Sequence, residues 1–166
     1  MAEAIEWRSA RLRAVRDLSP DIRLFEIEPV GEFVPPTPGS HFNIVVHVNG
    51  RPDVRNYSAV GLGTDGIYRI AVKRLPASRG GSAYMWSLER GAQLTISTPG
   101  NHFELSRGRP EYLLLAGGIG ITPIFTMALA DELRDRIGDR LQVPPPGGWT
   151  KLLPAGRHSP RRLPGP

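Results

Sequence analysis

The sequence contains no cysteine. That excludes a disulfide framework, a thiolate zinc site and an iron-sulfur cluster held by this chain's own thiolates. There is also no apolar run long enough to cross a bilayer. The N-terminus, Met1-Ala2-Glu3-Ala4-Ile5-Glu6, lacks the basic start and apolar core of a secretion signal, so a cytoplasmic protein with no membrane partner is expected. Aromatic residues make up only 7% of the 166 residues. A formal charge of +5 points first to nucleic acid, but from Pro144 onward there are four basic residues and no acidic one. The rest of the chain holds 17 basic residues against 16 acidic, so the basic excess belongs to the tail and nucleic acid is not the expected partner.

What is plentiful is punctuation, with 19 glycines and 17 prolines. Between them lie short alternating runs. Ala10 to Leu18 reads as an amphipathic edge strand, Ser19-Pro20-Asp21 as a turn, and Ile22 to Glu28 as a second strand. Val34-Pro35-Pro36-Thr37-Pro38-Gly39 can be neither helix nor central strand, because three prolines remove donors and fix φ. Phe42, Ile44, Val46 and Val48 then alternate with His41, Asn43, Val45 and His47, and Asn49-Gly50 gives a tight hairpin turn into the next strand. Ile67 to Arg74 and Ala92 to Thr98 complete what reads as an antiparallel meander, favouring a barrel or sandwich.

Three stretches carry chemistry. In the strand Arg55-Asn56-Tyr57-Ser58, Arg55 and Tyr57 share one face and Asn56 and Ser58 the other. A guanidinium forks onto phosphate oxygens, an aromatic ring covers a flat cofactor, and a small hydroxyl bonds its edge. A surface arginine and a half-buried tyrosine on an ordinary strand fit the same four residues. Arg79-Gly80-Gly81-Ser82 precedes a short helix, with Ser82 as the predicted N-cap, and its free N–H groups suit a phosphate. An ordinary loop-to-helix cap fits it equally. Tyr112-Leu113-Leu114-Leu115-Ala116 reads as a buried parallel strand running into Gly117-Gly118-Ile119-Gly120-Ile121-Thr122-Pro123. Thr122 is the predicted N-cap and Pro123 the first helical residue, followed by Phe125, Leu129, Leu133 and Ile137 at helical spacing. Strand, glycine loop and helix can hold a dinucleotide pyrophosphate or be a plain tight turn.

Taken in order, R-N-Y-S, the I-A-V-K-R of Ile70 to Arg74, R-G-G-S, the P-G-N-H-F that starts at Pro99, and L-A-G-G-I-G-I-T-P resemble one family. It is the phthalate dioxygenase reductase and vanillate demethylase reductase family of the ferredoxin-NADP reductase superfamily. The resemblance implies a six-stranded antiparallel β-barrel for flavin over residues 5–107 and a partial α/β NAD(P)-binding unit over 111–143. Residues 144–166 read as a disordered Pro/Gly/Arg-rich tail. It also implies that Arg55 and Ser82, with Arg79, Gly80 and Gly81, meet the flavin phosphate. Tyr57 would pack on the ring with Asn56 beside it, and Ser58 would act near flavin N5 as the catalytic hydroxyl. Ala71, Val72 and Lys73 would meet the pyrimidine edge, while Gly117, Gly118, Gly120, Thr122 and Pro123 would line the nucleotide site. FMN is the implied cofactor, FAD the alternative, NAD(P)H the reductant and no metal is expected. The electron acceptor would be a separate ferredoxin or Rieske-type oxygenase component. His41, His47 and His102 are read as strand or turn residues without a catalytic part. Because the family continues through further βα units, the segment from Ala130 to Val143 reads as an internal deletion joining two such units. A flavin-binding remnant that no longer turns over NAD(P)H is the alternative function.

Overall fold

The computed structural model describes residues 5–106, 108, 112 and 114–130. The strands are β1 (Trp7–Ser19), β2 (Ile22–Pro29), β3 (Ser40–Val48), β4 (Arg51–Ser58), β5 (Tyr68–Lys73), β6 (Gln93–Ser97) and the two-residue β7 (Gly100–Asn101). Helix α1 covers Gly81–Ser87, a 3-10 turn Gly118–Gly120, and helix α2 Ile121–Ala128.

The main sheet runs in the order β4-β3-β6-β1-β2-β5, with β7 paired to β3. Every ladder is antiparallel, which gives the expected six-stranded barrel. It is not the meander expected from the sequence: β2 does not pair with β3, nor β5 with β6. Nor is β1 an edge strand. It lies between β6 and β2, with Ala10 and Leu12 fully buried. The arginines that made it look peripheral occupy its outward face. Register shifts at Leu12/Ala14 and Asp17/Ser19 bend it; Trp7 to Arg11 pair with β6 and Ala10 to Ser19 with β2, so Ala10 and Arg11 are paired on both sides.

The barrel interior is filled by residues from every second position: Phe25 and Ile27, Phe42, Ile44 and Val46, Ile70 and Val72, Leu94 and Ile96. Each such side chain contributes about 1.5–3 kcal/mol of transfer free energy when fully buried, so the alternation fixes the register. The turn at Asn49 (φ 52°) and Gly50 (φ 75°) has the doubly positive geometry that suits a two-residue hairpin. Tyr68 stacks against Phe42 at 4.6 Å and Phe33 at 4.9 Å. Its hydroxyl donates to the Val34 carbonyl at 2.8 Å, which ties the proline loop to the end of the barrel.

The region after the barrel departs from expectation. Tyr112 and Leu114 to Gly117 belong to no strand, and Leu115 is 70% exposed. A parallel strand requires a neighbouring strand to pair with and cover on both faces, and among the described residues no strand pairs with this stretch. The rest of that expectation, together with the segment of the expected deletion beyond Ala130 and the tail 144–166, lies outside the described residues. Among those described, no helix is long and apolar enough to cross a membrane.

Candidate functional site

The barrel closes incompletely. Strands β4 and β5 form the two ends of the sheet path, and a single bridge, Ala59 to Ile70, joins them, supported by the Val60 N–H donating to the Arg69 carbonyl at 2.8 Å. Continued antiparallel from that bridge, the register would set Ser58 against Ala71, Tyr57 against Val72 and Asn56 against Lys73. Beyond that bridge no ladder joins the two strands, so the edge of β4 that carries Tyr57 and Ser58 and the edge of β5 that carries Ala71, Val72 and Lys73 stay unpaired with one another, a break in the barrel wall. Two stretches singled out from sequence thus become the two lips of one opening.

The β3 register settles which side chains share a face. Arg55 lies opposite Ile44 and Tyr57 opposite Phe42, so both share the face of the core residues at the barrel rim. Asn56 lies opposite Asn43 and Ser58 opposite His41, on the other face. Arg55 and Tyr57 are half-buried and Asn56 is exposed, as alternation requires, while Ser58 at the strand end is half-buried as well.

Helix α1 packs on this rim. A Cβ added at Gly81 would lie 2.9 Å from Arg55 Nε and 3.0 Å from Arg55 Cγ, so the guanidinium stem rests directly against the helix's first residue. Gly80 is left-handed (φ 98°), and a Cβ there would meet Val48 Cγ1 at 2.6 Å. The two glycines therefore have separate physical reasons: one permits a backbone turn over Val48, the other makes room for an arginine. Ser82 is not the N-cap. Gly80 occupies that position without a side-chain cap bond, while the Ser82 hydroxyl accepts the Leu75 N–H at 3.3 Å. A left-handed cap is open to glycine at little cost, which the serine rule does not anticipate.

Charge at the rim is organised by Asp53, which sequence reasoning missed. Its carboxylate lies 2.6 Å from Arg55 Nη1, and that same nitrogen donates to the Val54 carbonyl at 2.9 Å. The Val54 N–H, then the Arg55 guanidinium, hold the Asp53 carboxyl below the usual carboxylate range, and Arg79 adds to the field. An acidic residue two positions before an arginine on the same strand face was the only available signal. On the opposite lip, Lys73 pairs with Asp21 at 3.3 Å, and the Val72 carbonyl accepts the Trp86 indole N–H at 3.2 Å.

Burial pushes the Tyr57 phenol up to about 12, against a smaller opposing effect of Arg55. The folded state thus favours the neutral phenol. Its contribution to stability is intact below the unfolded value near about 10 and is lost as pH rises through the folded value. Urea denaturation across that alkaline range checks this: the wild type loses stability more steeply than Tyr57→Phe.

The glycine turn lies beside β5. The Gly120 N–H donates to the Gly117 carbonyl at 3.0 Å, Gly118 has φ 54°, and among the described residues nothing lies within 4 Å of a Cβ built at Gly117, Gly118 or Gly120. Helix α2 begins at Ile121, so Pro123 is its third residue rather than its first. Thr122 is not its cap; its hydroxyl donates to the Ile119 carbonyl at 3.0 Å. The buried side of α2 also differs from expectation. Thr122, Thr126, Met127 and Ala128 are buried, whereas Phe125 and Leu129 are only half-buried. Sequence reasoning passed over Thr126, since a threonine among apolar residues carries no signal of its own.

His41 and His102 stack at 5.2 Å, and burial, then the neighbouring imidazole, lowers the His41 pKa. Among the described residues no group of three or more His, Cys, Asp or Glu could hold a metal ion.

No protein-family model matches the chain. Curated proteins do. The chain is 39% identical over 133 residues to the heme-dependent oxidative N-demethylase beta subunit of Ectopseudomonas mendocina, covering 78% of this chain and 41% of that protein. It is 40% identical over 121 residues to the phthalate 4,5-dioxygenase oxygenase reductase subunit of Pseudomonas putida, covering 69% and 36%. Among solved structures, phthalate dioxygenase reductase, described as modular for electron transfer from pyridine nucleotides to [2Fe-2S], superposes with a TM-score of 0.67 at 32% identity. That match covers 78% of this chain and 40% of the reductase. The chain therefore spans well under half the length of these relatives.

Proposed function

Because the chain belongs to the oxygenase-reductase family of the ferredoxin-NADP reductase superfamily, we propose that its barrel holds FMN in the β4–β5 gap. We propose further that it serves electron transfer from NAD(P)H to an iron-sulfur partner of an oxygenase system, with FAD the alternative cofactor. The observation that carries this is the Arg55 guanidinium packed against Gly81 at the mouth of that gap. The residues present fit the group. A cradle that a Cβ would fill, a guanidinium and a helix's first N–H groups suit a phosphate. An open lip flanked by Tyr57 suits a flat ring.

In this reading Arg55 neutralises the phosphate, Arg79 adds charge, and Gly80, Gly81 and Ser82 supply the turn around it. Tyr57, kept neutral by burial, covers the ring, with Asn56 beside it. The Ser58 hydroxyl hydrogen-bonds the ring near N5. Ala71, Val72 and Lys73 present backbone to the pyrimidine edge. Gly117, Gly118, Gly120, Thr122 and Pro123 form the bed for the pyridine nucleotide, and the space that the described residues leave open over the glycines supports that assignment. Bound flavin supplies the exchange of a hydride equivalent from NAD(P)H for single electrons passed onward. The chain's part is to orient the reactants and keep water from the ring. A cytoplasmic location fits such a reductase.

The missing strand at Tyr112 and Leu114 to Gly117 favours a second reading, in which the barrel binds flavin but the nucleotide site does not turn over. Anaerobic visible spectra of the FMN-loaded protein separate the two. Bleaching on addition of NADH supports the reductase. An unchanged bound-flavin spectrum supports the flavin-binding remnant.

A further inference from the structure

Thr126 is wholly buried, and its hydroxyl links two parts of the molecule. It donates to the Ala59 carbonyl at 2.8 Å, with the Thr122 carbonyl a second acceptor at 3.2 Å, and it accepts the Gly61 N–H at 3.0 Å. Ala59 follows Ser58 directly and forms the one bridge that closes the barrel onto β5. Gly61 is the left-handed residue (φ 79°) at which the chain turns away. One hydroxyl on α2 therefore binds the backbone on both sides of Val60, at the end of the gap proposed to hold the flavin.

Among the described residues α2 also approaches the barrel through an apolar side chain. Met127 Cε lies 3.0 Å from where a Cβ on Gly39 would stand. Apolar contacts hold a helix down without fixing its rotation or its slide, because they have no directional requirement. Two hydrogen bonds to backbone on either side of Val60, one buried and one partly so, do fix it. The glycine turn at Gly118–Gly120 runs straight into α2, so whatever fixes α2 fixes that turn.

We propose that Thr126 is a positioning residue that sets the glycine turn against the β4–β5 gap and so aligns the pyridine nucleotide with the flavin. This rests on the flavoprotein reading above. Misplacing reacting groups by about 1 Å can cost on the order of 100-fold in rate, while leaving both binding sites intact.

The test compares the full-length wild type with Thr126→Val, which keeps the shape and removes the hydroxyl, and Thr126→Ser, which restores it. Three quantities are read: the FMN dissociation constant, the limiting rate of anaerobic flavin bleaching by NADH, and bleaching by dithionite, which needs no nucleotide site. Thr126→Val is expected to slow the NADH reaction roughly 10- to 100-fold. FMN affinity and dithionite bleaching should stay at wild-type values, and Thr126→Ser should restore the NADH rate. An undiminished NADH rate in Thr126→Val overturns the proposal. So does a loss of FMN binding in parallel with the rate, which marks a structural role alone, or a failure of serine to rescue. If NADH does not bleach even the wild type, the reductase reading is what fails, and amide hydrogen exchange decides on the tie. Selective loss of protection at Gly61 and α2 in Thr126→Val supports it. Unchanged protection, or loss across the whole barrel, overturns it.

Discussion

Replacing Arg55 by alanine raises the FMN dissociation constant by about 10- to 100-fold, since a charge-assisted hydrogen bond contributes about 1.5–3 kcal/mol. The effect should lie toward the upper end because of Asp53. Its carboxylate sits 2.6 Å from the guanidinium. Once the arginine is gone, the carboxylate faces the phosphate with only the weaker field of Arg79 to offset it. Arg55→Lys should recover only part of the loss, since an ammonium cannot fork onto two oxygens. Titration by flavin fluorescence quenching at low and high salt measures this. Asp53→Asn alone should leave FMN affinity equal to or higher than wild type. The Arg55 side chain is only 27% exposed and its stem packs on α1, so Arg55→Ala should also lower the urea midpoint somewhat, whereas Arg55→Lys, which keeps most of the stem, should lower it less.

Gly80→Ala should be the most damaging change at the cradle, lowering stability by about 2–5 kcal/mol. A non-glycine residue in left-handed backbone costs about 1–2 kcal/mol, and overpacking against Val48 adds about 1–3 kcal/mol. The double variant Gly80→Ala with Val48→Ala tests the division: it relieves the 2.6 Å contact but not the φ of 98°. Gly81→Ala is expected to behave differently. It is the first residue of α1 and has no positive φ, so alanine is favoured over glycine there by at most about 1 kcal/mol, the value in a helix interior. The atoms its Cβ would meet belong to the flexible Arg55 side chain. Stability should therefore hold or rise while FMN affinity falls, because the guanidinium is pushed aside. Urea denaturation and flavin titration on the same three proteins separate fold from site.

Much of the barrel was legible in the sequence, for a reason particular residues show. Phe42, Ile44 and Val46 are buried and their neighbours are not, so a period of two was written into β3 by burial on one face. Asn49-Gly50 was readable because few other pairs accept positive φ twice. The order of the strands was not readable. The alternation of β1 reports that one face is buried, and it is silent about whether β6 and β2 flank the strand or solvent does. The site was legible as separate pieces. Arg55, Tyr57, Ala71 and Gly81 could each be singled out, yet the gap that unites them exists because a ladder stops after Ala59 and Ile70, and no local pattern records where a ladder stops. Ser82 and Thr122 were misplaced as caps for a related reason. Capping rules rank side chains, whereas here the backbone freedom of Gly80 and the preceding 3-10 turn set the helix starts. Thr126 was silent because its partners lie 65 and 67 positions away.

The central claim is that the barrel captures a flavin by its phosphate, at Arg55 and the Gly80-Gly81 turn. The most direct measurement is a paired titration of the full-length protein with FMN and with riboflavin, which carries the same ring and lacks the phosphate, followed by quenching of flavin fluorescence. The account predicts saturable FMN binding and riboflavin binding weaker by about 10-fold or more, the value of a charge-assisted phosphate contact. Equal affinity for the two ligands, or binding of neither, would contradict it.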